Sequence, residues 1–124
     1  MYPKHYSGPL MSKSLTFAKE AVLYARVLKE EKEFALANQF LRCATSIGAN
    51  IHEATHSESR RDFIHKLKIA GKEASETSFW LALFAACEGF PETSRLEQLL
   101  LEIRRMLSKS IDTASQKLKK DQLT

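Results

Sequence analysis

The segment from Gln39 to Leu81, QFLRCATSIGANIHEATHSESRRDFIHKLKIAGKEASETSFWL, decides the fold of this chain. Apolar residues recur at helical spacing from Phe40 to Ala54, with polar residues on the opposite side. Ser59 and Asp62 then form an approximate capping box before a second apolar series. The segment therefore predicts a helix, a capped turn and a second, antiparallel helix. The predicted core stripes are Phe40, Ala44, Ile47, Ile51 and Ala54, followed by Phe63, Leu67, Ala70, Ala74, Thr77 and Leu81.

The rest of the chain is also almost free of helix breakers. It has 124 residues with four Gly and three Pro, and two of the Pro lie within the first nine residues. This length suits one domain with one core. We expect an irregular tail at 1–12 and a single all-α, up-and-down four-helix bundle with short connections at 13–120. The predicted helices are 14–31, 33–55, 59–88 and 94–119. Ser14 is the predicted N-cap of the first helix, and Ser94 is that of the fourth. The predicted buried residues of the first helix are Leu15, Ala18, Val22, Ala25 and Leu28. Those of the fourth helix are Leu96, Leu100, Ile103, Leu107, Ile111, Ala114 and Leu118.

Charge, cysteines and hydropathy restrict the function classes only slightly. The net charge of +4 permits binding to a polyanion without requiring it. The longest apolar run, Phe79 to Cys87, is far shorter than the roughly 20 residues that span a bilayer. No basic-then-apolar signal segment precedes the first helix, so we expect a cytoplasmic protein without a membrane partner. Cys43 and Cys87 fall too far apart in the hairpin for a disulfide, and we expect two packed, reduced thiols.

A basic stripe lies on the outer side of the third helix. It consists of Arg61, His65, Lys68 and Lys72, with Arg60 and Lys66 on its flanks. Such a row can follow a phosphate backbone, although a solvated helix face is an equally good interpretation. No aromatic residues interleave with the basic ones, which disfavours stacking on bases. If nucleic acid binds, we expect the shape and backbone of structured RNA or duplex DNA to be recognised.

The same side of the third helix becomes apolar near its end. This apolar patch consists of Phe79, Trp80, Leu83 and Ala86. A helix that is apolar all round needs cover on both sides, which one small bundle does not supply. Self-association is the simplest remedy. The alternative is that the first and fourth helices wrap further round the third.

The sequence His52-Glu53-Ala54-Thr55-His56 matches the zinc motif H-E-x-x-H, and Glu76 follows at the spacing of a third ligand. In an antiparallel hairpin, however, Glu76 lies about 25 Å along the third helix from the turn, whereas His56 lies beside the turn. We therefore interpret the two histidines as solvated residues near a helix end. We predict no metal, no other cofactor and no catalytic residues, and no small-molecule substrate is evident.

The central hairpin resembles a known family of small bacterial helical bundles. The segment Arg42-x-x-x-Ser46-Ile47-Gly48-Ala49-Asn50-Ile51-x-Glu53-Ala54, followed by Asp62-Phe63-Ile64 and by Glu73-Ala74-x-Glu76-Thr77, is similar to the signature of the 23S rRNA intervening-sequence proteins. The resemblance implies an up-and-down bundle that assembles into a ring-like homopentamer. Some members are encoded within intervening sequences of 23S rRNA genes, and a related group assists diversity-generating retroelements by binding nucleic acid. RNA or DNA binding is thus what the resemblance implies.

The sequence leaves two functional classes open. The first is a non-catalytic, homo-oligomeric protein that binds nucleic acid through the basic stripe and Arg60. The second is a protein-interaction scaffold, and an enzyme ranks third because no nucleophile, phosphate loop or carboxylate pair stands out. In either leading case we expect Ser46, Asn50 and Glu53 to organise contacts between helices or subunits. Arg42 and Glu73 lie at similar heights, which predicts an ion pair.

Overall fold

The computed structural model describes residues 8–123 and has four helices and no strands over that range. The helices are α1 (Pro9–Glu30), α2 (Phe34–Ala54), α3 (Arg60–Ala86) and α4 (Ser94–Leu123). Each helix packs against its neighbours in the sequence, and α1 also packs against α4. These contacts are those of an up-and-down four-helix bundle. The all-α prediction is confirmed.

Two ion pairs fix the relative direction of α1 and α4. Lys13 Nζ lies 2.5 Å from Glu102 Oε2, and Glu20 Oε2 lies 3.1 Å from Arg95 Nε. A step of seven residues forward along α1 corresponds to a step of seven residues back along α4. The two helices are therefore antiparallel, as short connections require.

An aromatic cluster forms the core at the end of the bundle that contains the α1–α2 and α3–α4 connections. The rings of Tyr24, Phe40 and Phe84 lie with pairwise centroid distances of 5.6 Å, and Phe90 stacks on Phe84 at 5.2 Å. Phe40 and Phe84 are almost fully buried. Tilted and offset ring pairs at these distances add to the free energy gained from burial alone. The predicted stripe of α2 is buried in full, and that of α3 is buried except for Phe63, which is half-buried.

The prediction for the first helix is wrong in two respects. The helix starts at Pro9 instead of near Ser14, so residues 9–12 are helical, while residues 1–7 lie outside the described part of the chain. Proline suits the first helical position because its missing N–H would have no intrahelical partner there. Ser14 is consequently a buried residue within the helix instead of its cap, and Leu15 is 58% exposed. The buried residues of α1 are Met11, Ser14, Phe17, Ala21, Tyr24, Ala25 and Leu28.

The helix ends explain the remaining differences from the predicted boundaries. The Ser59 side chain caps α3 by accepting a hydrogen bond from the Asp62 amide at 3.0 Å, as predicted. α4 begins at Ser94 itself, and the hydroxyl of the preceding Thr93 donates to Glu97 at 3.1 Å, so the predicted cap at Ser94 is off by one residue. Gly89 adopts a left-handed φ of 88°, which ends the turn after α3 without steric cost.

The two cysteines are free, but only one of them is packed. Cys43 is buried and its thiol donates to the Phe40 carbonyl at 3.3 Å, whereas Cys87 is exposed after the end of α3. The prediction of two packed thiols is therefore wrong for Cys87. Over residues 8–123, no helix has the length and apolar character needed to cross a membrane.

Candidate nucleic-acid interface

Charge is unevenly distributed along the bundle axis. The half nearer the α2–α3 turn, here called the basic half, comprises residues 8–20, 44–72 and 109–123, with eleven Lys and Arg against six Asp and Glu. The other, acidic half comprises residues 21–43 and 73–108, with seven Lys and Arg against nine Asp and Glu. The formal charges are +5 and −2. The small net charge thus conceals a strongly basic end, which attracts polyanions.

The four residues of the basic stripe are all exposed on α3. Three of them, Arg61, His65 and Lys68, line a shallow groove of about 300 Å³ together with Ser115 and Leu118 of α4. The α3 stripe therefore does not stand alone, because the C-terminal part of α4 forms the other wall of this groove.

The two flanking residues are held in ion pairs. Arg60 pairs with Asp121 near the end of α4, and Lys66 Nζ lies 3.4 Å from Glu53 Oε2 of α2. Arg60 therefore lies on the opposite side of the α3–α4 contact from the basic stripe. Surface ion pairs of this kind contribute little to stability, so they leave a phosphate able to compete for either cation.

A second and larger groove lies on that opposite side, at the end of the bundle. This terminal groove, of about 530 Å³, is lined by Arg60, Phe63, Lys109, Ser110, Thr113, Ala114 and Lys117. The α4 residues of this groove could not be predicted from local sequence patterns, because only the register of α4 against α3 brings them to Arg60. Phe63 was predicted to lie in the core, whereas it is half-buried and lines the groove together with three cationic side chains. No aromatic residue interleaves with the basic stripe itself, but this separate groove does contain one.

An apolar cavity of about 290 Å³ adjoins the terminal groove. Its lining residues are Gly8, Pro9, Leu10, Met11, Ile51, Phe63, Leu67 and Ser110. Phe63 and Ser110 belong to both, so the side chain of Phe63 stands where the basic mouth meets the apolar interior. The result is a cleft with a cationic rim and an apolar floor.

The signature residues join α2 to α3 in the acidic half. Arg42 lies 3.5 Å from Glu73 and 2.5 Å from Glu76, so the predicted ion pair with Glu73 is present and a second one accompanies it. The indole N–H of Trp80 also donates to Glu76 at 3.3 Å. Hydrogen bonds from Trp80 and then from Arg42 hold the pKa of the Glu76 carboxyl below its usual range. These polar groups are engaged in structural contacts between helices.

Two further signature residues bond within their own helix. Ser46 donates to the Arg42 carbonyl at 2.7 Å, and Asn50 Nδ2 donates to the Ser46 carbonyl at 2.8 Å. Such bonds to the preceding turn satisfy side-chain donors that lack another partner nearby. They do not bring a nucleophile to a base.

The apolar patch on α3 is open to solvent. Phe79 is 61% exposed, Ala86 is exposed, and Trp80 and Leu83 are half-buried. The alternative in which α1 and α4 cover this side is therefore wrong for Phe79. Leu101 of α4, 44% exposed, lies at about the same height, since it comes twenty residues before Asp121 while Phe79 comes nineteen after Arg60.

His52 and His56 lie side by side at the end of α2, with ring centroids 5.3 Å apart. They line a shallow groove together with Glu58 and Asp62. Within residues 8–123, no group of three or more His, Cys, Asp and Glu side chains is arranged to hold a metal ion. Glu76 is bonded to Arg42 and Trp80 instead of approaching the histidines.

Comparison with known families assigns the chain. Residues 9–109 match the family model described as 23S rRNA-intervening sequence protein. The chain belongs to this family. It is also similar to the crystal structure of a protein with unknown function from the S23 ribosomal protein family of Bacteroides thetaiotaomicron VPI-5482. The two share 44% sequence identity over 83% of this chain and 95% of that chain, with a TM-score of 0.75. A comparison with curated proteins finds no match.

The family match confirms the resemblance, which was expected to span most of residues 14–118, and it covers α1, α2, α3 and half of α4. It ends at residue 109, so Ser110, Thr113, Ala114 and Lys117 of the terminal groove follow the last matched position. One wall of this groove is therefore a feature of this chain and not of the matched family segment.

Proposed function

We propose that this member of the 23S rRNA-intervening sequence family is a non-catalytic, homo-oligomeric protein of the cytoplasm that binds structured RNA or duplex DNA through its basic half. The observation that carries the proposal is the charge separation of +5 against −2 along one small bundle. Surface lysines scattered for solubility would be spread over both halves. Concentration at one end gives a polyanion a single preferred place to bind.

The basic stripe has dimensions that suit a phosphate backbone. From Arg61 to Lys72 the stripe extends eleven residues along α3, or about 17 Å at the rise of an α-helix. Each strand of duplex DNA carries one phosphate per ~3.4 Å of helix axis, so the stripe faces about five phosphates. The side chains are long, exposed and positively charged, and they need no particular base sequence.

Charge reversal within the stripe tests this binding directly. Lys68→Glu combined with Lys72→Glu should abolish tight binding, because it removes two phosphate contacts and adds repulsion. Fluorescence anisotropy with labelled structured RNA and duplex DNA measures the affinity. If the wild type contacts four phosphates, its affinity should fall about 100-fold between about 50 mM and about 200 mM salt, and that of the variant only about 10-fold.

A matched control separates the site from net charge. Arg26→Glu combined with Lys29→Glu changes the net charge equally but alters exposed residues of α1 in the acidic half. This control should bind nearly as tightly as the wild type. Equal losses in the two double variants, or no binding by the wild type at low salt, would contradict the proposed site.

Self-association is part of the proposal and rests on the apolar patch. Phe79 of α3 and Leu101 of α4 expose large apolar side chains at about the same height along the bundle. Apolar surface of this kind on a small bundle marks an interaction site. A ring in which each copy contributes its basic half would present several phosphate-binding stripes to one ligand, which raises the overall affinity through multivalency. The family resemblance implies five copies.

A scaffold function is the second candidate, and the exposed Phe79 within the acidic half favours it. An exposed apolar residue on a half with net negative charge suits a partner protein that offers an apolar pocket with basic residues around it. Affinity capture after nuclease treatment discriminates the two. Recovery of one protein partner that is lost with Phe79→Ser, together with no nucleic-acid binding, would favour the scaffold.

A further inference from the structure

We propose that the terminal groove binds one unpaired nucleotide of the nucleic acid held by the basic half, with the base against Phe63 and the phosphate between Lys109 and Lys117. The inference rests on the proposed function and assigns a second, more selective contact beside the basic stripe. It predicts that a duplex with a single-stranded extension binds more tightly than the same duplex with blunt ends.

The rim of the groove has the chemistry of a phosphate site. Arg60, Lys109 and Lys117 supply three cationic side chains from two helices, and Ser110 and Thr113 supply hydroxyl donors between them. Lys109 and Lys117 are exposed, and they make no ion pair with any residue in the described range. Cations that are not neutralised within the protein keep their full attraction for a phosphate.

The floor of the groove has the chemistry of a base-binding surface. Phe63 is half-buried and packs on the core beneath it, so its ring is held in place while part of it remains accessible. Every base can stack on an aromatic face, and such stacking is insensitive to sequence. The volume of about 530 Å³ lies within the range of small-molecule sites.

The position of the groove connects it to the basic stripe. Residues Ser115 and Leu118 face the groove that Arg61 lines, whereas Thr113 and Lys117 face the terminal groove. The two grooves are therefore separated by the width of one helix, about 10 Å. A strand whose duplex lies along the stripe can place its next unpaired nucleotide in the terminal groove by crossing α4.

The occupant is a nucleotide because both parts of the cleft must be satisfied at once. A bare phosphate would leave the apolar floor open to water, and an uncharged apolar ligand would leave Lys109 and Lys117 without a counterion. A nucleotide carries a flat aromatic base and an anionic phosphate a short distance apart. It also belongs to the polyanion that the charge of this half attracts.

The experiment compares two probes of the same duplex, one blunt and one with a short single-stranded extension, each made as RNA and as DNA. A fluorescent base analogue in the extension reports stacking by a change in emission. The wild type should prefer the extended probe by at least about fivefold, which is the lower limit for stacking one base. Phe63→Leu keeps an apolar side chain on the core but removes the aromatic face, so it should abolish this preference and leave affinity for the blunt probe unchanged.

Three control variants make the result specific. Phe79→Leu removes an exposed aromatic ring outside the groove and should keep the preference. Lys117→Gln should weaken only the extended probe, and Lys68→Glu with Lys72→Glu should weaken both probes. Circular dichroism and thermal unfolding establish that each variant folds.

Failure of this inference differs from failure of the proposed function. Equal affinities of the wild type for the two probes, or a preference that persists in Phe63→Leu, would overturn the groove site while salt-dependent binding of the blunt duplex left the proposed function intact. Absence of binding to every probe at low salt would overturn both.

Discussion

Gly48 illustrates at the scale of single residues how the family signature and the packing of this chain are related. It lies inside α2 opposite Ser14 of α1, and a Cβ built on it would lie 3.6 Å from the Ser14 Cβ and 3.8 Å from the Ser14 carbonyl oxygen. These are ordinary van der Waals distances. Packing within one copy of the chain therefore does not require glycine at this position.

We accordingly expect Gly48→Ala to stabilise the protein. Alanine lowers the backbone entropy of the unfolded chain and favours the helix, which together should raise the free energy of unfolding by about 0.5–1 kcal/mol. Urea unfolding followed by circular dichroism measures the change. Gly71→Ala is the matched control, because Gly71 also lies within a helix and no atom lies within 4 Å of its built Cβ. A loss at Gly48 beside a gain at Gly71 would contradict the α1–α2 packing.

Among single residues, the buried stripe of α2 could be predicted from the sequence, whereas that of α1 could not. The stripe of α2 was predictable because Phe40, Ile47 and Ile51 are bulky, apolar and aligned, with polar residues opposite them. In α1 two different faces are apolar. The face with Phe17 and Tyr24 is buried and Leu15 is exposed, because aromatic side chains bury more area. Periodicity alone gives no weight to that difference in size.

At the scale of elements, the α3–α4 connection is held by one tyrosine of α1. The Tyr24 hydroxyl donates to the Pro91 carbonyl at 2.9 Å, and its ring stacks on Phe84. Burial, and then the nearby Glu92 carboxylate, raise the pKa of Tyr24 to about 12. The folded protein therefore retains this proton at pH values where the unfolded chain, with an ordinary tyrosine pKa near 10, has lost it.

Tyr24→Phe should reveal this contact in two ways. At neutral pH the variant should be less stable by about 0.5–1.5 kcal/mol, because the Pro91 carbonyl loses its donor. The contribution of the Tyr24 proton is fully present below pH 10 and is lost as the pH rises toward 12, since only the unfolded state gains by deprotonation. The thermal midpoint of the wild type should thus fall more steeply than that of the variant over this window. Parallel curves would contradict the assignment.

The existence and order of the four helices were predictable from sparse glycine and proline and from helical periodicity. The terminal groove was not, because it depends on how far α4 extends past α3 and on which of its faces meets Arg60. That register follows from the packing of whole side chains and from the Arg60–Asp121 pair, which lie 61 positions apart in the sequence. Local patterns contain no information about contacts over such separations.

At the scale of the whole molecule, we propose that the exposed apolar patch holds the subunits of an oligomer together. Phe79→Glu should convert the oligomer to monomers, because it places a carboxylate where we propose that subunits bury the ring. Sedimentation velocity measures the mass directly. Leu15→Glu is the control, since Leu15 is exposed to a similar degree on α1, and it should leave the oligomer intact. A monomeric wild type, or an oligomeric Phe79→Glu variant, would contradict the proposed interface.

The separation of charge also has a kinetic consequence. A bundle that is positive at one end and negative at the other is an electric dipole, and the field of a nucleic acid exerts a torque on it before any atoms touch. If the basic half binds nucleic acid as we propose, we expect the molecule to approach with its basic end first, so that a larger fraction of encounters has the correct orientation. The carboxylates of the far end would contribute to this alignment without contacting the ligand.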